Sequence, residues 1–178
     1  MTGNKILTGI LGGSFNPVHY GHLSLARNIV ERGIVDEMWL SLSPRNPFKD
    51  ENMLMPDSER LEKLREAVKD IKGVEACDIE LGLPRPSYTI DALECLRDSN
   101  TDRIFTLVIG DDNLERFTSW KNWESILENF GLIVYPRHSV HPTLPEQLSG
   151  WKDKITLLSD MPLYDISSTQ IRESLKKP

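Results

Sequence analysis

The stretch Gly12-Gly13-Ser14-Phe15-Asn16-Pro17-Val18-His19-Tyr20-Gly21-His22 constrains the fold more than any other part of the chain. An apolar run, Ile6 to Leu11, precedes it and reads as a first strand. Beyond it Leu23, Leu25, Ala26, Ile29 and Val30 recur at helical spacing, which predicts a helix from Gly21 to Arg32 that closes at Gly33. Two glycines, a tight turn and two histidines therefore lie between the C-terminal end of a strand and the N-terminus of a helix. In open α/β sheets that crevice is where ligands bind. The first N–H groups of a helix have no intrahelical partner and carry partial positive charge, which suits a phosphate. His19 and His22 are three residues apart, so they face one side of the first turn. Each can donate a hydrogen bond to a phosphoryl oxygen, neutral or charged. Gly21 reads as room for a ligand to approach the backbone.

The rest of the chain alternates. Glu37 to Leu42 reads as a second strand, followed by a proline-rich loop from Ser43 to Pro56. Asp57 or Ser58 is placed to cap a helix with the apolar stripe Leu61, Leu64 and Val68. Val74 to Ile79 predicts a third strand. A helix near Thr89 puts Ile90, Leu93 and Leu96 on one face. Ile104 to Ile109 is a continuous apolar run, as in a strand buried on both faces. Short helices follow around Leu114 and Ile126, then strands at Leu132 to Tyr135 and Ile155 to Leu158. His138 to Gly150 between those strands reads as loop, and a last helix begins near Ser168. Such alternation predicts right-handed βαβ units. The expected fold class is α/β: a Rossmann-like, doubly wound, mostly parallel sheet with helices on both faces, in one domain over residues 1–178. The first turn lacks the G-x-G-x-x-G fingerprint, which argues against hydride transfer.

Composition narrows the partners. A chain of 178 residues, 39% hydrophobic, suits one domain with a full core. Net charge is −6 and no lysine–arginine run occurs, so nucleic acid is not an expected partner. A polyanionic substrate stays open, because local groups decide that. No apolar run reaches membrane-spanning length and no signal-peptide core is seen at the N-terminus, so the expectation is a cytoplasmic protein without a membrane partner. Cys77 and Cys95 sit in apolar-periodic stretches and read as reduced core residues. His138 and His141 have ligand-like spacing with no acidic or cysteine neighbour, and read as loop residues.

The turn resembles the H-x-G-H signature of the nucleotidyltransferase superfamily. A second stretch, Asp165-Ile166-Ser167-Ser168-Thr169-Gln170-Ile171-Arg172, resembles that superfamily's I-S-S-T-x-I-R signature. With Ser87-Tyr88-Thr89, Ile109-Gly110-Asp111-Asp112 and Trp120-Lys121-Asn122-Trp123, the order of motifs is similar to that of the bacterial nicotinate-nucleotide adenylyltransferase family, from about Lys5 to Leu175. The resemblance implies that ATP and nicotinate mononucleotide give nicotinate adenine dinucleotide and pyrophosphate, a step of NAD biosynthesis, with Mg2+ bound to the ATP. The chain departs from the family pattern at Asn16, where Asp is common, and at Ser14, where Thr is common. It also ends at Lys176-Lys177-Pro178, where the family continues into a further helix. Rival readings are another adenylyl- or cytidylyltransferase of the superfamily, such as phosphopantetheine adenylyltransferase, or a non-catalytic nucleotide-binding module. A homo-oligomer is left open.

Adenylyl transfer needs alignment and charge neutralisation rather than a general base, because the attacking phosphate is already ionised. The resemblance assigns His19 and His22 to the ATP phosphates, beside Gly12, Gly13, Ser14 and Phe15. Ile166, Ser167, Ser168 and Thr169 open the last helix as a second anion site, with Arg172 one turn in. Plain N-capping by Ser168 and Thr169 and a solvated Arg172 are the alternatives. Lys49 ends Pro47-Phe48-Lys49, similar to the family's phosphate-reaching loop; the alternative is an exposed loop lysine, and Arg45 in the same loop is a weaker candidate. Tyr88, Thr89 and Trp120 are the acceptor-binding candidates, Trp120 by stacking on the pyridine ring and Thr89 by holding its carboxylate. Their alternatives are a half-buried core aromatic and a helix cap. Trp123 reads as packing. Asp111, after Gly110, is assigned a ribose hydroxyl, with a helix cap as the alternative.

Overall fold

A computed structural model describes residues 3–44 and 55–162. Six strands form one sheet: β1 (Ile6–Gly13), β2 (Glu37–Leu42), β3 (Val74–Cys77), β4 (Arg103–Gly110), β5 (Leu132–Tyr135) and β6 (Ile155–Leu157). Their order is β3-β2-β1-β4-β5-β6 and every pairing is parallel. The helices are α1 (Tyr20–Glu31), α2 (Asp57–Val68), α3 (Thr89–Ser99), α4 (Asp111–Leu114) and α5 (Trp123–Asn129).

The alternation of side chains along the central strands sorts the core into two layers. Ile10, Leu107 and Ile109 point to the face covered by Ile90, Leu93 and Leu96 of α3 and by Ile126 and Leu127 of α5. Leu11 and Val108 point to the other, where α1 contributes Leu25, Ala26 and Ile29 and α2 contributes Leu64 and Val68. Helices thus cover both faces, and the sheet is Rossmann-like and doubly wound, as expected. Chain order reverses between β1 and β4, so the crevice above those two strands is the topological switch point.

Four local expectations are corrected. β3 stops at Cys77; at Asp78 the chain leaves the sheet and Ile79–Gly82 forms a 3-10 helix, so the apolarity of Ile79 serves packing rather than pairing. The N-cap of α2 is Pro56, without a side-chain cap bond, because the Asp57 carboxylate is engaged by Arg60 and Arg85. Ile104, near the start of β4, stays half exposed, although Phe105 to Gly110 are buried. Residues Glu146–Lys154, partly read as loop, form a 3-10 helix anchored by fully buried Leu148. Cys77 is buried and Cys95 half-buried, both as free thiols. The last helix near Ser168 lies outside the described residues.

Candidate active site

Gly12 and Gly13 are the last residues of β1, paired beside Ser41 and Leu42, so the turn begins only at Ser14. A Cβ on Gly13 would stand 3.2 Å from the ring of Phe15. That ring is buried, and Phe15 holds a left-handed φ of 42° to place it there. Its edge meets the His22 ring with centroids 4.8 Å apart.

The two histidines cap α1 reciprocally. His19 is the N-cap, and its Nδ1 accepts from the Gly21 N–H at 3.1 Å. His22 reaches back, its Nδ1 accepting from the His19 N–H at 3.2 Å. This is a capping box built from imidazoles instead of a hydroxyl and a carboxylate. The rings stack at 3.8 Å between centroids. With both Nδ1 atoms used as acceptors, each neutral ring carries its proton on Nε2. Burial pushes both pKa values down, helped at His22 by the neighbouring His19 and at both by the Arg137 guanidinium; His22 falls to about 3. Both rings are therefore neutral at physiological pH. The Nε2 of His19 is buried and has no hydrogen-bond partner among the described residues. An unmet buried donor costs about 1–3 kcal/mol, and an incoming acceptor would relieve that cost. The space at Gly21, read from the sequence as room for a ligand, is filled by His19: a Cβ there would lie 2.9 Å from His19 Cε1.

Across the switch point stand Gly110, Asp111 and Asp112. The Asp111 carboxylate accepts backbone N–H bonds from Arg137 (3.0 Å), His138 (2.8 Å) and Ser139 (2.7 Å). It anchors the loop after β5, and His138 is part of that loop. Asp112 is different: its Oδ1 is buried with no partner among the described residues, while Oδ2 lies 3.7 Å from Arg137 Nη1. A Cβ on Gly110 would come within 2.5 Å of Asp112 Oδ1, so glycine is needed for that carboxylate to sit where it does.

Tyr88 is the N-cap of α3 and Thr89 its first residue; Tyr88 makes no side-chain cap bond. Trp120 is half-buried, tilted against Phe117 at 5.3 Å. Lys121 joins these two regions, with Nζ 4.6 Å from the Tyr88 ring centroid and 3.2 Å from Asp91 Oδ2. Trp123 packs on Phe117 and Trp151, as read. Glu80 sits below Ser87; burial raises its carboxyl pKa against the hydrogen bonds of Ser41, Ser87 and Ser43.

Arg45, Lys49, Ile166, Ser167, Ser168, Thr169 and Arg172 lie outside the described residues. Sequence reasoning passes over Arg137, Glu80 and Arg60, and takes Asp112 only as part of the Ile109-Gly110-Asp111-Asp112 motif and as a weak metal-binding pair with Asp111. Arg137 and Asp112 each follow the C-terminal end of a central strand by two residues, a position that could have flagged them. No group of three or more acidic, histidine or cysteine residues able to hold a metal ion occurs among the described residues. No described helix is long and apolar enough to cross a membrane.

Residues 10–174 match a family model described as cytidylyltransferase-like. The probable nicotinate-nucleotide adenylyltransferase of Azobacteroides pseudotrichonymphae is 44% identical over 167 residues, covering 94% of this chain and 85% of the relative. That of Bacteroides thetaiotaomicron is 41% identical over 172 residues, covering 97% and 83%. Among solved structures, Plasmodium falciparum nicotinic acid mononucleotide adenylyltransferase complexed with NaAD superposes with a TM-score of 0.76 at 21% identity, covering 97% of this chain and 85% of that one. At that identity the likeness speaks to the fold.

Proposed function

The chain belongs to the cytidylyltransferase-like family and, within it, to the nicotinate-nucleotide adenylyltransferases, and from that premise we propose that it joins ATP to nicotinate mononucleotide. A phosphate oxygen of the mononucleotide attacks the α-phosphorus of ATP. The bond to the bridging oxygen breaks, pyrophosphate leaves with that electron pair, and nicotinate adenine dinucleotide remains. The observation that carries the reading is the neutral histidine pair at the switch point, with the buried Nε2 of His19 unpartnered.

No general base is required, and the histidines are poorly suited to be one: burial opposes their protonation and Nδ1 is committed to the helix cap. They act instead as fixed N–H donors to phosphoryl oxygens, whose charge shifts toward the leaving pyrophosphate. Arg137 supplies positive charge on the same side. Lys49 and Arg172, with the hydroxyls of Ser167, Ser168 and Thr169, complete the phosphate site on this reading. Mg2+ enters with ATP as part of the substrate. Ribose recognition is better placed on Asp112 than on Asp111, whose carboxylate already takes three backbone N–H groups. Tyr88, Thr89 and Trp120 hold the acceptor, with Lys121 linking the two sides of its pocket. One sheet carrying both core layers supports the single-domain reading. A cytoplasmic location goes with the NAD-biosynthesis reading of the chain.

The test is pyrophosphate release with ATP and Mg2+, offering nicotinate mononucleotide, nicotinamide mononucleotide and phosphopantetheine in parallel, with product masses. Turnover favouring the nicotinate acceptor is expected. Losing the carboxylate's charge-assisted bond should weaken the amide analogue by about 1.5–3 kcal/mol. Preference for another acceptor would overturn the substrate assignment, and ATP binding without turnover would identify a non-catalytic module.

A further inference from the structure

Beneath the histidine turn lies an arginine that none of this chemistry uses. Arg60, on the first turn of α2, is fully buried. Its Nε donates to the Met55 carbonyl at 3.0 Å, and its Nη1 donates to the Ser14 carbonyl at 2.6 Å and the Ser43 carbonyl at 3.0 Å. Its Nη2 donates to Asp57 Oδ1, and Asp57 Oδ2 in turn accepts from Arg85 Nη2 at 2.9 Å. The Ser43 N–H donates to the Gly13 carbonyl at 2.8 Å. One guanidinium thus ties the turn after β1 to chain on both sides of residues 45–54. Through Asp57 and Arg85 it also reaches the segment leading to Ser87.

We propose that Arg60 is a positioning residue for nucleotidyl transfer, setting the backbone of the β1–α1 turn from below so that the phosphate-facing groups above are held in register. This rests on the transfer reading of the site. The physical reason lies in the peptide joining Ser14 and Phe15. A trans peptide directs its C=O and N–H in opposite senses. Pinning the Ser14 carbonyl to Arg60 therefore turns the Phe15 N–H away from the guanidinium and fixes the plane from which Phe15 enters its left-handed conformation. The Phe15 ring then bears on His22, and His22 on His19.

Stability alone is a weak reason to keep such a group. Taking a guanidinium fully out of water is costly, and apolar residues of similar volume often replace buried ion pairs without loss. What a methionine could not do is hold three carbonyls from two loops with one rigid planar fork.

The experiment measures kcat, KM for ATP and KM for nicotinate mononucleotide in wild type, Arg60→Met, Arg60→Lys and Asp57→Asn, with circular dichroism and thermal melts on each. Misplacement of about 1 Å costs on the order of 100-fold in rate. Arg60→Met, folded, should lose on that order in kcat with both KM values changed less than about threefold, the pattern of an interaction expressed in the transition state. Arg60→Lys should recover only part of kcat, because an ammonium lacks the fork. Asp57 is partly exposed, so Asp57→Asn keeps the fold if Arg60→Met does not; it should lose about tenfold in kcat. Folded Arg60→Met, or Asp57→Asn where the former fails to fold, with kcat within twofold of an active wild type would overturn the proposal. A wild type silent with ATP and nicotinate mononucleotide would instead overturn the transfer reading on which it rests.

Discussion

Gly21→Ala separates what the histidine turn does for stability from what it does for catalysis. In a helix interior this substitution normally stabilises by about 1 kcal/mol. Here the new Cβ would stand 2.9 Å from His19 Cε1 and 3.0 Å from Nδ1, where ordinary contact begins near 3.4 Å. The imidazole must retreat by about half an ångström, and the cap it makes to the Gly21 N–H is loosened. Losing a cap costs about 0.5–2 kcal/mol, so the two effects offset and the net stability change should be within about 1 kcal/mol of zero. The rate has no such compensation. If about 1 Å of misplacement costs 100-fold, half of that should cost about tenfold in kcat. Pyrophosphate release at saturating ATP and a urea melt of the same preparation read both quantities. A variant with wild-type kcat would refute the reasoning, as would one whose lost activity is fully accounted for by unfolded protein.

Three further outcomes follow from the same geometry. His22 titrates near 6.5 when unfolded and near 3 when folded, so between those values the unfolded chain binds the extra proton. Its contribution is present above pH 6.5 and lost as pH falls toward 3, at most roughly 1.4 kcal/mol per pH unit; urea midpoints at pH 7 and pH 5 should differ in that sense, and less in His22→Gln. Asp111→Asn should cost about 1–3 kcal/mol of stability by weakening three backbone hydrogen bonds, read as a lower melting temperature. Asp112→Asn should lower the melting temperature less than Asp111→Asn, since it loses only the long 3.7 Å contact of Oδ2 with Arg137 while Oδ1 has no partner to lose among the described residues, and it should raise a substrate KM.

Much of the fold was legible because the signals are periodic and local. The run Leu132–Tyr135 is a strand at the residues read from its apolarity, since a strand in a parallel sheet buried on both faces tolerates little else; Glu37–Leu42 is also a strand at the residues read, although Glu37 and Trp39 stay half-buried. The His19–His22 pair was legible because a strand, a glycine turn and a helix start converge there. The roles of individual groups at the site were less so. A histidine serving as its own helix cap looks in sequence like a histidine free to meet a ligand, and only the structure shows Nδ1 taken and Nε2 left. Asp111 and Asp112 are adjacent and chemically identical; the geometry of the loop after β5 decides which carboxylate is consumed by amides. Arg60 falls four residues before Leu64 and eight before Val68, in the register of the buried stripe. A charge in that register reads as a solvated flank until its carbonyl partners, 46 and 17 residues away in sequence, are known.

The central claim is that neutral His19 acts on the transferring phosphoryl group, and His19→Ala tests it most directly. Turnover at saturating ATP and nicotinate mononucleotide should be measured beside the equilibrium affinity for ATP. The account predicts loss of most of the turnover with only a modest loss of ATP binding, as expected for a donor whose bond strengthens in the transition state. Near-normal turnover in a folded variant would contradict it.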